Sequence, residues 1–154
     1  MTFDLGAALP QLLPRAVTWA NEREQEIFAS GVSLNDLGLS IAQRVGVSRP
    51  ELIRVQFVDD LLPLPQDPVL REAGLATGLF GPQMIGITLG YSICIRKQYD
   101  SIRLLSHEAR HVYQYERAGG IANFLPLYLQ QIVQFGYRDA PYEIDARAHE
   151  IHHA

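Results

Sequence analysis

Three residues of this chain, His107, Glu108 and His111, have the types and spacing to do metal chemistry. They form the run H-E-x-x-H inside Ser106-His107-Glu108-Ala109-Arg110-His111-Val112-Tyr113-Gln114. On a helix of 3.6 residues per turn, positions 107 and 111 lie one turn apart on one face, so both imidazoles can reach a single ion. Glu108, beside the first histidine, can point at a water on that ion. Two neutral nitrogens and an adjacent carboxylate are what metal-activated hydrolysis requires. With five histidines in the chain, such a run arises by chance in about one comparable protein in a hundred. The bland reading is a charged helix face with two ordinary histidines. Leu104, Leu105, Val112 and Tyr115 argue against it, because their helical spacing puts the histidines beside a half-buried stripe.

A structural metal site closes its shell with four protein ligands, whereas a catalytic one leaves a position for water. Two histidines therefore need one more ligand. Cys94 is the only cysteine, which excludes a cysteine-rich site. The third ligand is sought downstream, in Ala140-Pro141-Tyr142-Glu143-Ile144-Asp145-Ala146-Arg147-Ala148-His149. Glu143 follows a proline at an expected helix start there.

H-E-x-x-H followed, a few tens of residues later, by E-x-x-A on a second helix resembles the gluzincin class of zinc metallopeptidases, and most of all its minimal single-domain members. The resemblance covers roughly residues 84 to 150. It implies that His107, His111 and Glu143 hold zinc and that Glu108 is the general base. Arg147 departs from the pattern, because an aspartate often stands there to support a zinc-bound histidine. Asp145 points about 200° away from Glu143 on a helix. Asp145 and His149 stay open as alternative third ligands, and the support for the histidines is unassigned.

The expected activity is hydrolysis of a peptide or amide bond by a zinc-activated water, with Glu108 accepting and returning the proton. Tyr137 and Tyr142 are the candidate donors to the oxyanion, ahead of Arg110. Gln114, one turn beyond His111, either lines the cleft or orients a ligand. The competing reading is a catalytically silent protein of the same fold with a binding or regulatory role. Iron or manganese at these ligands is a further possibility. The substrate cannot be read, and so short a chain is expected to have few elements with which to build deep specificity pockets.

Length and composition set the frame for these residues. The 154 residues suit a single domain, 1–154, with N-terminal helices and a strand over 1–58 and the metallopeptidase-like core over 84–150. The chain is 47% apolar and 19% charged, as globular proteins are. A net charge of −4 and a single lysine, Lys97, do not suggest a nucleic-acid partner. No signal peptide or membrane span is evident, so cytoplasmic residence is the default. Cys94, within Ser92-Ile93-Cys94-Ile95, reads as a buried strand residue.

The expected fold class is α+β: mainly helical with a small sheet, an active helix and a downstream glutamate helix. A first helix is placed over 11–29, its start fixed by Pro14, with Leu13, Val17, Ala20, Ile27 and Phe28 as its stripe and Trp19 as core or edge. A second runs from about Leu34 to Val45 behind a Ser33 cap. Leu52 to Val58 alternates as a strand. Asp59-Asp60 reads as a strand end, Leu61-Leu62-Pro63-Leu64-Pro65 as an irregular loop, and Asp67-Pro68 as the start of a helix to about Ala76. Residues 84–95 give two short strands or one bent one, with Gly86 and Gly90 marking a bulge or close approach. In gluzincin-like folds a strand there forms the sheet edge on which extended substrate lies, so 84–95 is the candidate substrate shelf; a plain core strand is the alternative. The active helix should run from about Ser101 to Ala118. The next covers 123–134, with Phe124, Leu127, Tyr128, Gln131 and Phe135 facing the active helix. The last starts near Pro141. Asp145, His149, His152 and His153 share a face if that helix continues, which reads either as an adventitious second metal site or as a solvated tail.

Overall fold

Among the described residues four strands form one mixed sheet, and one of its two inner strands explains the run that does not alternate. The computed structural model describes residues 4–60, 64–81 and 84–154. Strand β1 spans Val32–Ser33, β2 Arg54–Val58, β3 Gly86–Leu89 and β4 Ser92–Arg96, in the order β1-β2-β4-β3. β2 runs parallel to β4, with Val55 opposite Ile93, and β3 is antiparallel to β4, with Ile87 opposite Cys94. Ser92, Ile93, Cys94 and Ile95 are all buried, because both faces of the sheet are covered. Ile93 and Ile95 enter one core with Ile53, Val55, Ala109 and Val112, while Leu89 and Cys94 enter the other with Ile27, Tyr115 and Phe124. Burial pushes the Cys94 thiol up to about 11, and Glu108 nearby adds to the shift, so it is not a nucleophile.

Among the described residues six α-helices accompany the sheet, and those residues are 62% helical in an α+β fold. They are α1 Leu5–Ser30, α2 Asp36–Arg44, α3 Pro68–Ala76, α4 Ile102–Ala118, α5 Ile121–Phe135 and α6 Pro141–Ala148. No described helix is long and apolar enough to cross a membrane.

Helix α1 begins two turns earlier than Pro14 suggested. Asp4 caps it by accepting from the Ala7 amide, and Pro10 and Pro14 both lie inside. They are tolerated because they sit on the exposed face, where water can satisfy the carbonyls of Gly6 and Pro10 that lose their donors. Its buried stripe is Leu9, Leu12, Ala20 and Ile27. Phe28 is instead exposed, under the Arg54 guanidinium. Helix α2 is capped by Asn35 rather than Ser33, which is taken up in β1. Asp59 lies past β2 and pairs with Lys97 at the surface. Leu61 to Pro63, most of the expected proline loop, lies outside the described residues. Asp67 caps α3 as expected.

Helix α5 is rotated from its expected orientation. Phe124 and Tyr128 are buried, but Leu125, Leu129 and Ile132 join them, while Leu127 and Phe135 face solvent. The cause is that α5 packs on α1 as well as on α4. Phe124 stacks on Tyr115 of α4 and on Tyr142 of α6, with centroids 3.8 and 4.7 Å apart, so one ring ties three helices together. Helix α6 ends at Ala148 and the residues after His149 are not helical. The helical face that would have joined Asp145, His149, His152 and His153 therefore does not form.

Candidate metal centre

Helix α4 is set by its own ends. Ser101 accepts from the Leu104 amide at 3.1 Å, and Gly119, at φ 98°, closes the other end in the left-handed region. Between the caps, Leu104, Ala109, Val112 and Tyr115 pack inward, which carries Glu108, His111 and Gln114 into burial as well. His107 and His111 lie edge to face, with ring centroids 5.0 Å apart.

Pro141 starts α6 and puts Glu143 in its first turn, 3% exposed. Glu143 Oε1 lies 3.3 Å from His107 Nε2, and Oε2 lies 3.2 Å from His111 Nε2. These three side chains are the one group among the described residues with ligand atoms all within 4.8 Å of one another. Tetrahedral bonds of about 2.0–2.1 Å set neighbouring ligand atoms roughly 3.3–3.4 Å apart. His107 and His111 each meet a different oxygen of Glu143 near that spacing, and the donor set suits a small divalent cation.

Each imidazole is held through its other nitrogen. His107 Nδ1 is 2.9 Å from Glu150 Oε2, and His111 Nδ1 is 2.7 Å from Gln114 Oε1. In the metal-free protein each protonated Nε2 donates to Glu143, and loss of that proton would turn the Nε2 lone pair towards a cation. Gln114 Nε2 donates in turn to the Tyr142 carbonyl and to Asp145 Oδ2, both at 2.9 Å, and Arg110 Nε donates to the same Asp145 carboxylate. On the far side of the cluster, Tyr128 donates to Glu143 Oε2 at 2.8 Å.

Burial is the largest influence on His111 and opposes its charge, but the hydrogen bond to Glu143, the charges of Glu143 and Glu108 and the bond to Gln114 together raise it to about 9. His107 is raised against burial by the same two carboxylates. Burial favours the neutral Glu143 acid, yet the bonds from both histidines hold it well below the usual carboxylate range. The cluster attracts positive charge, whether protons or a cation.

Glu108 is 5% exposed and lies over β3. Thr88 donates to its Oε1 at 2.7 Å. A Cβ on Gly86 would fall 3.1 Å from its Oε2, so the glycine provides the close approach that its position suggested. β3 is the sheet edge. Arg96 N donates to the Ile85 carbonyl, so Ile85, Ile87 and Leu89 face β4 and the backbone groups of Gly86 and Thr88 face outward. Tyr115 donates to the Thr88 carbonyl.

The remaining residues singled out from the sequence fall in different places. Tyr137 lines a cavity of about 120 Å³ together with His107, Glu108, His111 and Glu143. Tyr142 is not on that wall: its ring is stacked on Phe124 and its amide donates to Gln131. Gln114 orients His111 and is 3% exposed. Asp145 faces Arg110 and Gln114 rather than the histidines' Nε2 atoms, and His149 Nδ1 bonds the Asp145 carbonyl. Arg147 bonds the Arg138 carbonyl. Sequence reasoning missed Glu150, Tyr128 and Thr88. Glu150 carried no signal, because it lies in the irregular tail that Ile151 fastens to Ser106 Oγ at 2.8 Å.

No protein-family model, curated protein or solved structure matches the chain.

Proposed function

We propose that this chain is a zinc-dependent hydrolase of peptide or amide bonds, a metallopeptidase with Glu108 as its general base and a peptide or protein as its substrate. One observation carries the reading: two imidazole Nε2 atoms and the Glu143 carboxylate converge on one point beside a separately held carboxylate, all on the wall of one cavity. Three protein ligands leave a tetrahedral ion one open position. His107, His111 and Glu143 would hold a zinc ion, which would supply an acidified water and polarise the scissile carbonyl. Glu108 takes a proton from the attacking water as the carbon–oxygen bond forms, and hands it to the leaving nitrogen as the carbon–nitrogen bond breaks. Thr88 keeps that carboxylate aimed. Tyr137, whose hydroxyl burial keeps protonated, lines the same cavity and is the donor assigned to the oxyanion. The outward backbone groups of Gly86 offer an extended substrate one rung of strand pairing beside Glu108. Cytoplasmic residence is part of the same proposal.

The test is metal analysis of purified protein, followed by cleavage of a peptide library. One zinc per chain is expected in the wild type and in Glu108→Gln, and none in His107→Ala. Cleavage should fall at least a hundredfold in Glu108→Gln. Iron or manganese in place of zinc would change the assigned metal. Biological output unaltered by Glu108→Gln would favour the silent binding protein.

A further inference from the structure

The cavity that reaches the metal cluster extends well past it. Beyond His107, Glu108, His111 and Glu143 its wall is mostly hydrocarbon, including Leu12 and Trp19 from α1, Leu70 from α3, Phe80, Ile87 from β3 and Leu129 from α5, while the Tyr115 and Tyr128 hydroxyls are spent on the Thr88 carbonyl and Glu143. Among the described lining residues, no charged side chain lies outside the cluster. The two threonines of the wall are already engaged, Thr88 with Glu108 and Thr77 with the Ala73 carbonyl. This contradicts the expectation that so short a chain lacks a deep pocket. Helices α1 and α3 build it, and Trp19 belongs to its wall as well as to the core.

We propose that this cavity selects the substrate, taking one uncharged aliphatic side chain of leucine size next to the scissile amide. The inference rests on the hydrolase reading and adds its substrate class. Size argues for the aliphatic group. The volume of about 120 Å³ is below the ~150 Å³ of an apolar cavity that holds benzene. A branched four-carbon group fits, and a phenyl ring requires Phe80 to move. Phe80 is set edge-on to Trp19 at 5.5 Å and packs closely on α3, where a Cβ on Gly74 would meet its ring at 2.0 Å. Chemistry argues for the neutral group. An apolar cavity offers a charge no partner, and removing a charge from water costs far more than the cavity returns. Continuity with the cluster fixes which part of the substrate enters, because the cavity's polar end holds His107, Glu108, His111 and Glu143, where the bond would be cut.

Trp19 is the only tryptophan, so its emission reports occupancy without any turnover. The zinc-loaded protein is titrated with propanamide, butanamide, pentanamide and 4-methylpentanamide, and with 3-phenylpropanamide, succinamate and 4-aminobutanamide. Affinity should rise about fourfold per methylene through 4-methylpentanamide, drop for the phenyl compound, and be at least tenfold weaker for the two charged ones. Phe80→Ala should restore binding of the phenyl compound; Leu70→Phe should shorten the series. Peptide cleavage should favour leucine, isoleucine or methionine beside the cut. Equal affinity along the series, equal binding of charged amides, or unchanged size preference in both variants overturns the pocket. A length-dependent Trp19 response with no peptide cleaved keeps the pocket and sinks the hydrolase. Cleavage with no side-chain preference does the reverse.

Discussion

Glu143 sits between two imidazoles with almost no access to water, and that arrangement makes the metal-free protein sensitive to pH in a defined direction. His111 is raised from 6.5 to about 9 and His107 is raised as well, so their protonation stabilises the fold fully below about pH 6.5 and the contribution is lost as pH climbs through 9. Glu143 is depressed from 4.5, so its contribution is present above that pH and is lost on acidification. The melting temperature in chelator should therefore be highest near pH 5–6.5 and fall towards pH 9.5. Metal affinity should move oppositely, rising over the same range as protons cease to compete. A level melting temperature between pH 6 and 9.5 would show that the histidines do not share protons with Glu143. A second residue-scale expectation concerns Glu150. Outer carboxylates that orient a ligating imidazole typically contribute 10–100-fold in metal affinity. Glu150→Gln should weaken zinc binding by roughly that factor, while Arg147→Ala, the position where the gluzincin pattern would place such a carboxylate, should leave it unchanged. Competition with a chromophoric chelator measures both.

At the scale of elements, what could be read in the sequence was what local chemistry decides. Helix α4 begins and ends where Ser101 and Gly119 require, and α6 begins where Pro141 requires, because a cap or a proline acts on its own turn. The places of His107, Glu108, His111 and Glu143 follow from those ends. The beginning of α1 was not legible, since tolerance of Pro10 and Pro14 depends on which face meets water. The rotation of α5 was not legible either, since it is set by α1 packing from a hundred residues away. Glu150 and the cavity walls arise from chain segments brought together only by the fold. Gly86 lies between these cases: its glycine was visible and its neighbour was not. A side chain there would press on Glu108 Oε2 from 3.1 Å. Gly86→Ala should lower kcat on any cleaved peptide about tenfold or more, a typical consequence of misplacing a catalytic group, with zinc content unchanged. Loss of zinc along with activity would instead mean that the strand supports the metal ligands, and equal kcat would remove β3 from the site.

For the whole molecule, the decisive fact is that α4 and α6 meet only in the folded chain, with α5 lying between them in sequence. The unfolded chain can offer the pair on α4 but not the three-ligand set, so a cation binds the native state preferentially and stabilises it by mass action. Free zinc at a hundred times its dissociation constant contributes about 2.7 kcal/mol. For a domain of this size, each kcal/mol moves the midpoint by roughly 2–4 °C. Saturating zinc should thus raise the melting temperature by roughly 5–10 °C. Glu143→Ala should lose most of that increment and also release Tyr128, whose hydroxyl would be left buried without its acceptor. Tyr128→Phe separates the two effects, since it keeps the ligand set and should keep the zinc increment while lowering stability in chelator. Calorimetry of the three proteins, each with zinc and with chelator, decides the matter. A zinc increment that survives Glu143→Ala intact would mean that α6 does not close the site, and the hydrolase reading would lose its third ligand.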